Sequence, residues 1–116
     1  MDLNEYQKGA MSTCMESSNN FMYMLSGLTA EVGEINDKVA KGIRKGYIKV
    51  YDNGIEVDSP DDFIGEVAKE ISDVMWFVAG LSKVLGYNLE EIGEINLQKL
   101  ASRKQRGVID GEGDNR

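Results

Sequence analysis

Leu25, Leu28, Val32, Ile35 and Val39 recur at spacings that alternate between three and four residues, and Val67, Ile71, Val74, Val78, Leu81 and Leu85 do the same. That spacing follows the helical period of about 3.6 residues and draws one apolar stripe down each segment. A strand, whose side chains alternate faces, would scatter the same residues over both sides. The chain is therefore built on two long helices, each with a narrow apolar seam that must be covered.

The remaining elements fit around this pair. Leu3 to about Met15 reads as a first helix. The polar break Ser17-Ser18-Asn19-Asn20 offers N-caps for a second, running to about Lys41 and ended by Gly42 and Gly46. In "YIKVYDNGIEV", Ile48 and Val50 alternate with Tyr47, Lys49 and Tyr51. Asn53-Gly54 there suits the centre of a type I′ turn, so a small β-hairpin is expected between helices two and three. A calcium-loop reading of "DNGIEVDSPDD" fails, because the glycine and the terminal glutamate that such a loop needs are missing. Ser59-Pro60-Asp61-Asp62 predicts a helix start with serine as cap and proline in the first turn. That third helix extends to about Leu85 and stops at Gly86. Asn88 with Glu91 three residues on forms a capping box for a fourth helix, reaching about Lys104. The expected fold is all-α and four-helix-bundle-like with one hairpin, in a single domain over residues 1–116. Segment 105–116, rich in glycine and charge, is expected to be a flexible or substrate-covering tail.

Composition narrows the chemistry. Thirteen basic against twenty acidic side chains give a net charge of −7. Such a balance opposes nonspecific nucleic-acid binding, which depends on neutralising phosphates, and suits a collector of divalent cations. One cysteine excludes a disulfide framework. With no histidine in the chain, there is no Ser-His-Asp or Cys-His system, no imidazole base and no histidine-rich zinc site. The longest apolar run, Val74 to Leu81, is too short to span a bilayer and no signal peptide opens the chain. A cytoplasmic protein with no membrane partner is the expectation, and a chain this small suits completion by a second copy.

With Val32 and Ile71 at a, and Ile35 and Val74 at d, of two heptads, Glu31 and Glu70 occupy g while Glu34 and Asp73 occupy c. Packed antiparallel, the two helices bring these four carboxylates together at the edge of the seam. Like charges a few ångströms apart repel strongly unless a cation sits among them. Each pair alone also reads as a solvated helix face. All-oxygen ligands on rigid helices suit Mg²⁺ or Mn²⁺. Lys38 and Lys41 continue the same flank, either as phosphate ligands or as ordinary partners of acids one turn away. On the fourth helix Asn96, Lys99 and Arg103 share a face. Asn96 interrupts the stripe of Leu89, Ile92 and Leu100 and is expected to be semi-buried with partners. Trp76 and Phe77, one turn past Asp73, suit either the core or stacking on a base.

Glu-x-Gly-Glu-Ile-Asn occurs twice, from Glu31 and from Glu91. Around the second copy the same letters build a capping turn, where carboxylates favour the helix N-terminus without any metal. One metal site at the first copy and a helix start at the second is the resulting expectation.

Glu-x-x-Glu in "EVGE" (Glu31, Glu34) and Glu-x-x-Asp in "EISD" (Glu70, Asp73) resemble the paired motifs of the MazG-like, all-α NTP pyrophosphatases. The likeness continues through "EYQKGAMST", "DVMWFVAGLSKVLGYNLEEI" and "NLQKLASRKQRGVIDGEGDNR". The last looks like the Asn-x-x-Lys-Leu-x-x-Arg segment and Gly-x-Gly-Asp-x-Arg ending of a phage and bacterial subgroup. The resemblance implies Mg²⁺-dependent hydrolysis of nucleoside triphosphates between the α- and β-phosphates, by homodimers or homotetramers. It implies Glu31, Glu34, Glu70 and Asp73 as metal ligands, with Glu34 or Glu31 as proton acceptor. Lys38, Lys41, Asn96, Lys99 and Arg103, together with Trp76 and Phe77, become candidates for substrate contacts. Two features depart from the family pattern: Ala30 stands where many members carry a further glutamate, and the gap between the acidic motifs is long. Two other readings use the same residues. One is a phosphoribosyl-ATP pyrophosphohydrolase-like enzyme; the other is a catalytically silent helical dimer that binds a nucleotide or a partner protein.

Overall fold

The computed structural model describes residues 1–116. It contains α1 (Leu3–Met11), α2 (Phe21–Arg44), β1 (Ile48–Tyr51), β2 (Gly54–Val57), α3 (Phe63–Val84) and α4 (Leu89–Gln105), with a single 3₁₀ turn at Glu16–Ser18. Four helices and one two-stranded antiparallel hairpin match the expected class.

Several boundaries differ from the sequence expectation, each for a local reason. α1 stops at Met11, not Met15. The hydroxyls of Ser12 and Thr13 turn back onto the carbonyls of Gly9 and Ala10, and the Trp76 indole N–H also donates to Ala10 O. α2 starts after Asn20, whose side chain accepts from Tyr23 N–H at 2.8 Å. It runs past Gly42, which lies buried against Ile48 and Phe63. Gly46, at φ +74°, makes the left-handed exit. The hairpin pairs Tyr51 with Gly54, so its loop is Asp52-Asn53, one residue earlier than predicted. No non-glycine residue has positive φ, which rules out a type I′ turn there. α3 is capped by Asp62, which accepts from Gly65 N–H at 3.1 Å, while Ser59 only accepts from Asp61 N–H ahead of the helix. The Asn88–Glu91 capping box of α4 is formed in both directions, Glu91 N–H to Asn88 at 2.9 Å and Asn88 N–H to Glu91 at 3.0 Å.

α2 and α3 pack antiparallel, Met24 against Gly80, Gly27 against Phe77 and Gly42 against Phe63. Met24 and Ala79 are fully buried and form the core with Met11 and Leu89. Trp76 and Phe77 pack around it at 4.9 Å, edge to face, and Phe77 meets Tyr23 at 5.9 Å. Gln7 joins three elements in the interior. Its amide donates to Ala79 O (3.1 Å) and Tyr87 O (3.2 Å), and its oxygen accepts from Leu89 N–H at 3.1 Å. α4 is held to the bundle through its first turns, with Glu90 N–H donating to Asn4 and Gly93 against Leu3. No helix is long and apolar enough to cross a membrane.

Gly27 tests how tight this contact is, because a Cβ there would overlap the Phe77 ring. Alanine gains about 0.5–1 kcal/mol over glycine in a helix, whereas overpacking costs about 1–3 kcal/mol. Gly27→Ala is expected to lower unfolding free energy by about 1–2 kcal/mol, read from urea denaturation.

Candidate active site

The α2–α3 contact sets which acids meet. One turn along α2 from Gly27 is Glu31, and one turn back along α3 from Phe77 is Asp73. One carboxylate oxygen from each of Glu31, Glu70 and Asp73 lies within 4.8 Å of the other two. Glu31 and Glu70 are half-buried at the helix interface, and Asp73 is exposed. Glu34, exposed one turn beyond Glu31, lies outside this group of three. Burial first, then the charges of Asp73, Glu70 and Glu34, push the Glu31 carboxyl above its ordinary range. From α1, the Tyr6 hydroxyl is pushed up by burial and by the charge of Asp73, so α1 borders the cluster as well. Spacing gave no role to Tyr6, which the sequence marks only as part of "EYQKGAMST"; the fold carries α1 to Asp73.

Lys38 is the one cation paired into the triad, 3.3 Å from Glu70. Beside it, Lys41 of α2 and Lys45, the residue that caps α2, join Tyr47, Ser59 and Phe63, with the acids Asp61 and Glu66, in lining a cavity of about 200 Å³. Tyr47 and Ser59 flank the hairpin, so the long insertion between the acidic motifs walls this cavity. Lys45 and the flanking residues went unnoticed in the sequence because the cavity exists only where Ile48 docks on Gly42. Lys41 also pairs with Asp37 at 2.6 Å, the ordinary one-turn partnership. A larger cavity of about 730 Å³ lies between α1 and the α3–α4 junction, lined by Gln7, Lys8, Lys83 and Tyr87 among others. It contains none of the clustered carboxylates, and size alone does not make it the reactive site.

The α4 candidates stand apart. Asn96 is exposed rather than semi-buried, because only the first turns of α4 lie against the bundle. Lys99 and Arg103 both contact Asp114 of the C-terminal segment, at 3.3 and 3.1 Å. Trp76 and Phe77 are engaged in packing, and the Trp76 indole donates to Thr13 Oγ1 at 2.9 Å.

Three carboxylates around one point, with a single ammonium at the rim, leave an excess of negative charge. The donor set is wholly oxygen on two rigid helices, which fits a hard divalent cation.

A model of the MazG nucleotide pyrophosphohydrolase domain matches residues 20–108. The chain belongs to the MazG family. The matched span begins at the cap of α2, ends just past α4 and includes all four acids. The MazG-like chain is also 38% identical to the Gene 37 protein of Mycobacterium phage L5, in an alignment of 123 residues covering all of both proteins. No solved structure matches it.

A raised carboxyl keeps its proton longer in the folded than in the unfolded state. The stability this gives is complete below the unfolded pKa and is lost as pH rises through the elevated folded value. In protein treated with chelator, Glu31→Gln is therefore expected to melt above the parent at neutral pH. The gap should close toward about pH 4, where the parent carboxyl is protonated in both states; a pH series of melting curves reads this.

Proposed function

We propose that this MazG-family chain hydrolyses (deoxy)nucleoside triphosphates between the α- and β-phosphates, releasing a nucleoside monophosphate and pyrophosphate. The observation that carries this reading is the adjacency of the Glu31–Glu70–Asp73 triad to the lysine-lined cavity, with Lys38 reaching both. The triad, with Glu34 beside it, would hold Mg²⁺, or Mn²⁺ in its place. When bound, such an ion supplies charge neutralisation for the phosphates and a water that deprotonates near neutral pH.

The side chains take the remaining roles. Glu34, exposed and outside the triad, accepts the proton of the attacking water. Lys38 exchanges its contact with Glu70 for a phosphate oxygen, and Lys41 and Lys45 receive the departing pyrophosphate in the cavity. Attack at the α-phosphorus breaks its bond to the oxygen bridging to the β-phosphorus, and that oxygen leaves on pyrophosphate. No protein nucleophile is required, in keeping with a chain without histidine.

The working form in this reading is a homodimer or homotetramer. Along the seams, the d residues Leu28, Ile35, Val67, Val74 and Leu81 are half-buried. Of the a residues, Val32 is 45% exposed and Ile71 54%, and Leu25, Ile64 and Leu85 are also exposed. The radius of gyration is 17.5 Å, against about 13 Å for a compact chain of this length. An open shape with one apolar stripe on each long helix suits coverage by a second copy.

Release of pyrophosphate from a panel of nucleotides, with and without Mg²⁺ or Mn²⁺, tests the reaction. Cleavage is expected only with metal, and orthophosphate as product would overturn the bond assignment. Glu70→Gln is expected to lower kcat/KM by about 100-fold or more, since even outer partners of metal ligands are worth about 10–100-fold. For the assembly, Ile71→Lys should convert the parent's multiple of the chain mass to a single chain in light scattering.

A further inference from the structure

The cavity of about 730 Å³ between α1 and the α3–α4 junction lies away from the acidic cluster. Lys83, in its wall, stands ten residues along α3 from Asp73, about 15 Å at the helical rise. Three elements build the cavity, and buried contacts fix their spacing. Gly86, at φ +87°, turns the chain from α3 toward α4. Gln7 forms the floor, bonded at once to Ala79, Tyr87 and Leu89, and Glu90 N–H donates to Asn4 where α4 meets α1. The volume falls in the range of small-molecule sites, about 300–1,000 Å³. Met11 and the Tyr87 ring are the whole apolar part of the wall, so the cavity suits a hydrophilic ligand.

The polar groups left over are mostly donors. Lys8 and Lys83 pair with no acid of the chain. Asn4 and Asn88 use their side-chain oxygens to accept from Glu90 N–H and Glu91 N–H, which leaves each its NH₂ group. The backbone N–H groups of Leu89, Glu90 and Glu91 are all taken by side chains, so the start of α4 offers no bare cradle for a phosphate. No arginine fork lines the wall either. Two separate ammonium point charges suit two separate carboxylates instead. Glu91 is the one acid present. Its Oε1 accepts from Asn88 N–H, and its other oxygen has no partner in the chain. With two lysines against one glutamate, the wall carries a small positive excess.

We infer that this cavity is a second ligand site, separate from the carboxylate triad, for a small dicarboxylate bearing an amine, the chemistry of a free acidic amino acid. The two carboxylates meet the lysines and the asparagine NH₂ groups, and the amine meets the free Glu91 oxygen. The single net negative charge of such a ligand matches the excess of the wall. The site uses no group of the triad, so it stands whether or not the chain hydrolyses triphosphates.

Titration of the ¹⁵N-labelled full chain with L-glutamate in chelator, followed by backbone and asparagine side-chain NMR shifts, tests this. Saturable shifts are expected at Tyr87, Asn88 and the Asn4 side chain. Glutarate, with the same two carboxylates and no amine, should bind about two- to fivefold more weakly, the worth of one exposed charge pair. Lys8→Gln and Lys83→Gln should each weaken glutamate by a similar factor, whereas Lys49→Gln on β1, an equal change of net charge, should leave it as in the parent. Glu91→Gln keeps the capping box, since glutamine serves at that position, and is expected to erase the preference for glutamate over glutarate. The site falls if glutamate gives no saturable shift there, if both cavity lysine variants bind as the parent does, or if Lys49→Gln loses as much. It falls too if glutarate matches glutamate in the parent, or if the preference survives Glu91→Gln. Inorganic phosphate binding these residues more tightly than glutamate would also overturn it. Pyrophosphate release is measured separately, so the hydrolase reading and the second site can each fail alone.

Discussion

The register of α2 against α3 is the constraint on which the site depends. It is set by two glycines used in opposite senses: Gly27 on α2 admits the Phe77 ring, and Gly80 on α3 admits Met24, the most deeply buried large side chain. With both interlocked, neither helix can slide a turn without driving a ring or a thioether into backbone. One turn from each end of that contact stand Glu31 and Asp73, and Glu70 follows one turn back. The carboxylates need no contacts of their own to be brought together. Packing a few turns away puts them there, against their mutual repulsion.

That repulsion is a cost carried by the fold. Three acid oxygens within 4.8 Å, one of the acids with its proton affinity raised by burial and its neighbours, constitute a local conflict between stability and arrangement. Lys38 relieves it only in part, since it touches Glu70 alone. Some acids elsewhere are paired conventionally. Glu66 is matched to Lys69 at 2.8 Å and Asp37 to Lys41 at 2.6 Å, and the Lys69 contact holds Glu66 below its usual range. Convergence of three acids, two of them half-buried, at the seam is what distinguishes this cluster from the rest of the acidic surface.

Much of this was legible in the sequence wherever one periodicity or one cap decided the outcome. The 3-4 spacing marked both long helices, Asn88 with Glu91 marked the start of α4, and heptad phase placed Glu31, Glu34, Glu70 and Asp73 on facing flanks, of which all but Glu34 cluster. The same reasoning separated the two Glu-x-Gly-Glu-Ile-Asn copies, of which the second is a capping turn in the fold. It failed where two local signals competed or where tertiary contact decided. Ser59 and Asp62 are both good caps, and the one nearer the seam prevailed. Gly42 reads as a terminator but serves as the close-packed floor for Ile48. Asn96 interrupts an apolar stripe, yet beyond Leu89 and Ile92 that stripe is not buried, because α4 leaves the bundle after its first turns. Gln7, Tyr6 and Lys45 are ordinary polar residues in sequence and acquire meaning only from what the fold sets beside them. The pairing of Asp114 with Lys99 and Arg103 spans 15 and 11 residues through glycine turns, beyond the reach of any helical period.

The exposed a residues and the acidic cluster are not separate features. Val32 follows Glu31 and Ile71 follows Glu70, so each exposed apolar side chain is the immediate neighbour of a clustered carboxylate. Any surface that covers Val32 and Ile71 must come within a side chain's length of the triad. It would exclude water there and lower the local dielectric, which strengthens repulsion among the acids and their attraction for a cation alike. In the proposed reading, a cation would tip the balance between these toward covering the seam. Burial of the apolar stripe and occupation of the acidic site would then be coupled by adjacency along the two helices, each biasing the other by the same free energy.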